Sequence, residues 1–179
     1  TDQDCDTYDY LAITEVKTGQ YHSCGITVAG SIECWGNNSY GEASGWAGSW
    51  SSLDLEEHHT CALSDTGELS CWGFNGNGET NYPSGLFQHV ESGVEHNCAM
   101  DLAGFVECWG GNTYNQVLTT PIGQFIDLAV GDYHSCALDN SGSASCWGSS
   151  TFNQTSPPST TFLDIEAGDD YTCGITAAG

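Results

Sequence analysis

HSCALDNSGSASCWG, residues 134–148, sets Cys136 and Cys146 ten positions apart around a small polar centre. The frame recurs as YHSCGITVAGSIECWG (21–36), HHTCALSDTGELSCWG (58–73) and EHNCAMDLAGFVECWG (95–110), and in part as YTCGITAAG (171–179). Its first cysteines, Cys24, Cys61, Cys98, Cys136 and Cys173, are separated by 37, 37, 38 and 37 residues, and Cys34, Cys71, Cys108 and Cys146 keep the same step. Self-similarity at such a period marks a propeller, a solenoid or an array.

Within each full frame a glycine (Gly30, Gly67, Gly104 or Gly142) lies six residues after the first cysteine, and apolar residues such as Ile26 and Ile32 lie two and eight after it. Period-two patterning about a glycine-closed turn is a β-hairpin. With the two cysteines opposite each other, the loop is three residues long and ends on the glycine, which supplies the left-handed conformation such a loop needs. Counting outward from the turn puts the cysteines in a non-hydrogen-bonded pair, with Cα atoms roughly 4.5 Å apart, within reach of a disulfide. Each hairpin is therefore expected to be stapled across its own strands: Cys24 to Cys34, Cys61 to Cys71, Cys98 to Cys108, and Cys136 to Cys146. Upstream of the hairpins run further short apolar stretches, FQHVESG (87–93), FIDLAVG (125–131) and FLDIEAG (162–168). About three strands per repeat follow, and no segment carries a helical period. The chain reads as one all-β repeat domain over 1–179, with repeats near 13–48, 49–85, 86–123, 124–160, and 161–179 together with 1–6.

The 179 residues carry 24 acidic side chains against one basic one, Lys17, a formal charge of −23. Nucleic-acid backbones require Lys and Arg to displace their counterions, so nucleic-acid binding is excluded as an expectation, and anionic membrane surfaces are disfavoured. No apolar run approaches the roughly 18 residues of a membrane-spanning helix. Ten cysteines without a CxxC or a Cys/His cluster at zinc spacing point to disulfides, hence to an oxidising, extracellular setting. The chain opens on Thr1 with no charged-then-apolar leader and reads as mature and secreted or displayed on the cell surface.

HSCALDNSGSASCWG, with CWGNNSYGE (34–42) and CWGFNGNGE (71–79), resembles the regulator of chromosome condensation repeat family, whose signature runs from His-Ser through a short strand and a turn to Trp-Gly and an Asn/Gly-rich loop ending near Gln or Glu. The resemblance covers roughly residues 13–179. It implies a β-propeller, here of about five short blades instead of the family's usual seven, with disulfide staples like those of secreted bacterial members. The basic surface required for chromatin is absent, so nucleotide exchange and DNA association do not carry over.

The fifth hairpin starts at Cys173 and reaches its turn glycine, Gly179. Cys5 in TDQDC (1–5) is the cysteine left over, and a strand around it is expected to complete the last blade through a Cys5–Cys173 bond. Two geometries satisfy this pairing. The strand closes a ring within its own subunit, or it is donated to a neighbour in a head-to-tail contact that propagates as a filament. Gln3 stands where other repeats are apolar and Asp6 where they carry Trp.

His22, His59, His96 and His134 precede their first cysteines by two, as Tyr171 does in the fifth copy, and are read as structural hydrogen-bonding groups. Trp35, Trp72, Trp109 and Trp147 are read as blade-packing residues, with sugar stacking as the rival reading. Trp46, Trp50, Tyr40 and Tyr114 fall outside the frame and are the candidate ligand contacts. Asp2, Asp4 and Asp6 alternate without the glycine and glutamate of a calcium loop. Asn37 and Asn153 begin N-glycosylation triplets. No nucleophile signature, phosphate loop or metal set appears, so neither catalytic residues nor a cofactor is assigned. The expectation is a secreted, non-catalytic propeller with a structural or adhesive role, self-assembling through strand exchange. The alternative is a monomeric carbohydrate- or protein-binding propeller, lectin- or inhibitor-like, with no nucleic-acid partner and no membrane insertion.

Overall fold

The computed structural model describes residues 12–176, which form fourteen strands and no helix. β1 (Ile13–Thr18), β2 (His22–Thr27) and β3 (Ile32–Gly36) make the first antiparallel sheet, in that spatial order. The pattern repeats in β4 (Trp50–Leu55), β5 (His59–Ser64) and β6 (Leu69–Gly73), then in β7 (Phe87–Ser92), β8 (His96–Asp101) and β9 (Val106–Gly110). β10 (Phe125–Val130), β11 (His134–Asp139) and β12 (Ala144–Gly148) form the fourth sheet. β13 (Phe162–Ala167) and β14 (Thr172–Thr176) form a fifth of two strands. The sheets fall one to a repeat and are the blades of a β-propeller.

The hairpin register is the one the cysteine spacing predicts. Cys24 pairs with Cys34 and Ile26 with Ile32, and the same pairing recurs in the next three blades. Disulfides join all four pairs, with Cα atoms 4.0–4.1 Å apart. Gly30 closes its turn at φ 82°, and its three counterparts lie between 81° and 88°, a region that strains any residue with a Cβ.

Every first strand carries a register shift at one place, between Ile13 and Glu15, Trp50 and Ser52, Phe87 and His89, Phe125 and Asp127, and Phe162 and Asp164. Such a bulge re-aims the residues that follow it. Leu53, Val90, Leu128 and Ile165 thereby become buried, while Lys17, Asp54, Glu91 and Glu166 stand at the register of the first cysteines.

The core lies between blades. One cluster joins Ile26 and Ile32 of the first blade to Leu53, Leu55 and Trp72 of the second, and three further clusters join each later pair of neighbours. Full burial of such side chains is worth about 1.5–3 kcal/mol each, so each blade draws much of its stability from its neighbour. The corresponding face of the first blade is more exposed. Val16, the counterpart of Leu53, is 56% exposed, and Trp35 is 50% exposed where Trp72, Trp109 and Trp147 are at most 8%.

Glycines explain how closely the blades meet. A Cβ on Gly19 would lie 2.3 Å from the Glu56 carbonyl oxygen of the second blade, and one on Gly131 would lie 2.3 Å from that of Gly168 in the fifth. Gly19, Gly93 and Gly131, each five residues before a first cysteine, thus mark direct backbone contact, and Glu56 stands at that position in the second repeat.

Candidate functional site

Two ladders set the geometry of the blades. Nε2 of His22, His59, His96 and His134 lies 2.7–2.8 Å from Thr60 Oγ1, Asn97 Oδ1, Ser135 Oγ and Thr172 Oγ1 of the following blade. The indole N–H of Trp72, Trp109 and Trp147 donates to the backbone carbonyls of Glu42, Glu79 and Gln116 in the preceding blade. Glu42, Glu79, Gln116 and Gln154 are buried and fold back to accept the backbone N–H of the residue two positions earlier. These histidines and tryptophans therefore hold blades together.

A charged cluster lies on the first strands of the first three blades, β1, β4 and β7. The single base, Lys17, places Nζ 3.5 Å from Asp54 Oδ1. Burial opposes its charge, but Asp54, Glu91 and Glu15 outweigh burial and raise its pKa. Burial and Glu91 push Asp54 up to about 8, against Lys17 and against the Ser92 N–H that donates to Oδ2 at 2.7 Å. His89 Nε2 lies 3.1 Å from Glu91 Oε1, and this contact raises the imidazole pKa.

A cavity of about 490 Å³ is lined by Gly19, Glu56, Glu57, Asp132, Tyr133 and Asp169 among others. Burial, then Asp132 and Asp169, push Glu56 up to about 7, and burial with Asp169 and Asp170 pushes Asp132 up to about 6. Among the described residues no group of three or more His, Cys, Asp or Glu side chains is arranged to hold a metal ion.

Aromatic rings adjoin the mouth of this cavity through two of its lining residues, Glu57 and Tyr133. His58, adjacent to Glu57, stacks on Tyr21 at 5.1 Å and meets Tyr40 at 5.2 Å, and Tyr40 meets Phe74 at 5.0 Å. Tyr114 meets Tyr133 at 5.3 Å. Tyr40 and Tyr114 are equivalent residues, each two before the buried Glu or Gln of its loop, and each touches the residue preceding a ladder histidine of the next blade. The four candidate contacts do not converge. Trp46 bridges Ile32 and lies against Trp72, while Trp50 starts β4 and meets Trp46 edge-on at 6.4 Å. Tyr21, His58 and Phe74 were not singled out from the sequence, although each lies next to, or just beyond, a frame residue.

The acceptor triplets differ. Asn37 Nδ2 donates to buried Glu42 at 2.7 Å, whereas Asn153 is exposed in a left-handed conformation at φ 65°.

A second locus lies at the outer edge of the fifth blade. Cys173 pairs with Glu166 as Cys24 does with Lys17, yet no third strand lies beyond β14 among the described residues. Cys173 is exposed, and among the described residues it alone is outside a disulfide. A cleft of about 430 Å³ runs alongside it, lined by Phe152, Gln154, Pro157, Phe162, Ile165 and Tyr171 among others. Cys5, Asp2, Asp4 and Asp6 lie outside the described residues, as does the rest of TDQDC.

Three segments, residues 13–42, 57–79 and 125–154, match the model of the regulator of chromosome condensation (RCC1) repeat. No curated protein sequence matches the chain. Among solved structures, it superposes on the ectodomain of the receptor kinase CR4 from Physcomitrella patens with a TM-score of 0.78 and 28% identity, covering 93% of this chain and 49% of that one. The ectodomain of the Arabidopsis thaliana receptor kinase ACR4 gives 0.73 and 28%, covering 92% and 59%. Prp20p of Saccharomyces cerevisiae gives 0.76 at 15% identity, covering 96% and 58%, which is a likeness of fold. The chain thus spans about half to three-fifths of the structures it matches.

Proposed function

For a propeller built of regulator of chromosome condensation repeats, we propose an extracellular, non-catalytic role in structure or adhesion, with subunits joined head to tail by strand donation. The observation that carries this reading is Cys173, exposed on a strand edge that no other strand covers among the described residues, at the register where four other cysteines are bonded. An open edge is a template for a further strand. The segment around Cys5 is the donor, because the other eight cysteines are already paired.

Donation to a neighbour, in preference to ring closure, is favoured by length. Eight residues separate Cys5 from Ile13 (13 − 5), whereas sixteen separate Cys34 from Trp50 (50 − 34) and Cys146 from Phe162 (162 − 146). The exposed face of the first blade, with Val16 and Trp35, is the surface that would meet a preceding blade. The four disulfides and the likeness to two receptor ectodomains support the extracellular setting.

Unreduced peptide mapping combined with gels run with and without reductant tests the reading. A ladder that collapses on reduction, with Cys5 joined to Cys173 in its multimeric bands, is the expected result. A Cys5–Cys173 bond confined to a monomer band replaces the filament with a closed ring. A monomeric ring remains the second reading, favoured by the exposed aromatic rings beside the axial mouth, which suit ligand recognition.

A further inference from the structure

We propose that the aromatic wall formed by Tyr21, Tyr40, His58 and Phe74, together with the adjoining mouth, docks a segment of a partner protein rich in Lys or Arg. This surface is distinct from the edge of β14, and the inference stands apart from strand donation.

Tyr21 and Tyr40 are 49% and 52% exposed, although both lie in ring–ring contact with His58. Exposed aromatic faces attract any flat or cationic group, so charge decides between occupants. Glu57 Oε1 lies 3.6 Å from His58 Nε2, at the boundary between the wall and the cavity. Behind it, Glu56, Asp132 and Asp169 repel one another strongly enough to contribute to the raised pKa values of the first two. Lys17, the chain's one Lys or Arg, is engaged with Asp54. A neutral sugar stacked on the tyrosines leaves those carboxylates uncompensated. A guanidinium or ammonium group satisfies both features, with its charge toward the carboxylates and its planar head or aliphatic stem over a ring.

The second aromatic pair argues for an extended segment over a single small cation. Tyr114, 44% exposed, touches Tyr133, which lines the same cavity from the fourth blade. Aromatic surface therefore flanks the carboxylates on the second and fourth blades, and several basic side chains spaced along one chain would engage both. Steering by the net charge of −23 would speed the encounter and make it sensitive to salt.

A fluorescently labelled peptide of alternating Arg and Gly, titrated into the full oxidised chain at low salt, tests the proposal. Saturable binding is expected, weakened about three- to thirtyfold by Tyr40→Ala and retained by Tyr40→Phe. Tyr82→Ala, at a tyrosine that stacks on no ring, should leave the affinity unchanged. Because Tyr40→Ala also removes packing, a peptide with citrulline in place of Arg provides a second measurement on the unaltered chain and should not bind. Equal affinity for the parent and Tyr40→Ala would reduce the effect to diffuse charge and overturn the proposal. Binding of the citrulline peptide, or displacement of the Arg peptide by a neutral oligosaccharide, would overturn the requirement for a cation.

Discussion

His59 Nε2 lies 2.7 Å from Asn97 Oδ1 across the second and third blades, and the proton between them belongs to the histidine. Asn97 Nδ2 donates to the Glu79 carbonyl at 3.0 Å, which leaves Oδ1 as the acceptor and fixes the Nε2–H tautomer of His59. Thr60 does the same for His22, since its hydroxyl donates to the Glu42 carbonyl at 3.1 Å.

Asn97→Leu should therefore strand the His59 N–H in a site closed to water. A loss of about 1–3 kcal/mol in unfolding free energy is expected from urea titration. An unchanged midpoint would mean the ladder contributes nothing to cohesion between blades.

The ladder also makes the protein sensitive to acid. Burial, followed by His134 and His59, pushes His96 down to about 3, and burial lowers His22, His59 and His134. Between about pH 6.5 and 3 the unfolded chain holds a proton at His96 that the folded chain refuses, so this contribution to stability falls as pH falls. His96→Gln removes that titration. The variant should be less stable than the parent at pH 7.5 and gain on it as the solution is acidified to pH 4. A gap between the two that stays constant with pH would refute the assignment.

Glu56 titrates with the opposite sign. Its folded pKa of about 7 lies above the ordinary carboxyl value, so stability is fully present below about pH 4.5 and is lost as pH rises through 7. Glu56→Gln keeps the neutral shape at every pH. Relative to the parent it should gain on the order of 1 kcal/mol between pH 5 and 8, a figure already discounted for solvent screening of a partly exposed side chain. Parallel stability curves would show that the mouth carries no such repulsion.

Gly131→Ala tests the contact between the fourth and fifth blades. The new Cβ would meet the Gly168 carbonyl oxygen at 2.3 Å, and displacing that backbone should cost about 1–3 kcal/mol. Calorimetry of the variant should show a lowered Tm, and full retention of Tm would mean that the fifth blade yields freely.

Replacing Cys136 and Cys146 together with Ala should remove at most about 2.7 kcal/mol, the chain entropy of a short closed loop. Far-UV circular dichroism should not change, because the glycine turn holds the register without the bond. Loss of the β-sheet signal would show that the staple sets the register.

The hairpins were readable because everything that defines them is local. Turn glycine, alternating apolar residues and paired cysteines lie within one run of fifteen residues, so a period-two pattern and a loop length suffice to give the register. Trp72 and His59 were read correctly as blade-packing and hydrogen-bonding groups, but their partners, Glu42 and Asn97, lie 30 and 38 positions away and no spacing rule names them. Gly19, Gly93 and Gly131 are each required by a carbonyl oxygen of the next blade, 37 or 38 positions further along the chain, and nothing near them in sequence shows that contact.

The sequence by itself determined the repeat, the stapled hairpins and the four covalent pairs, because each depends on neighbours along one short ribbon of chain. Tertiary structure alone decided that Lys17 faces Asp54, that Tyr40 meets His58, and that Glu56 is crowded by Asp132 and Asp169. Those relationships arise where separate blades converge, and the packing angle between blades is set by buried side chains and backbone approach at long range, which a residue's own neighbours in sequence do not encode.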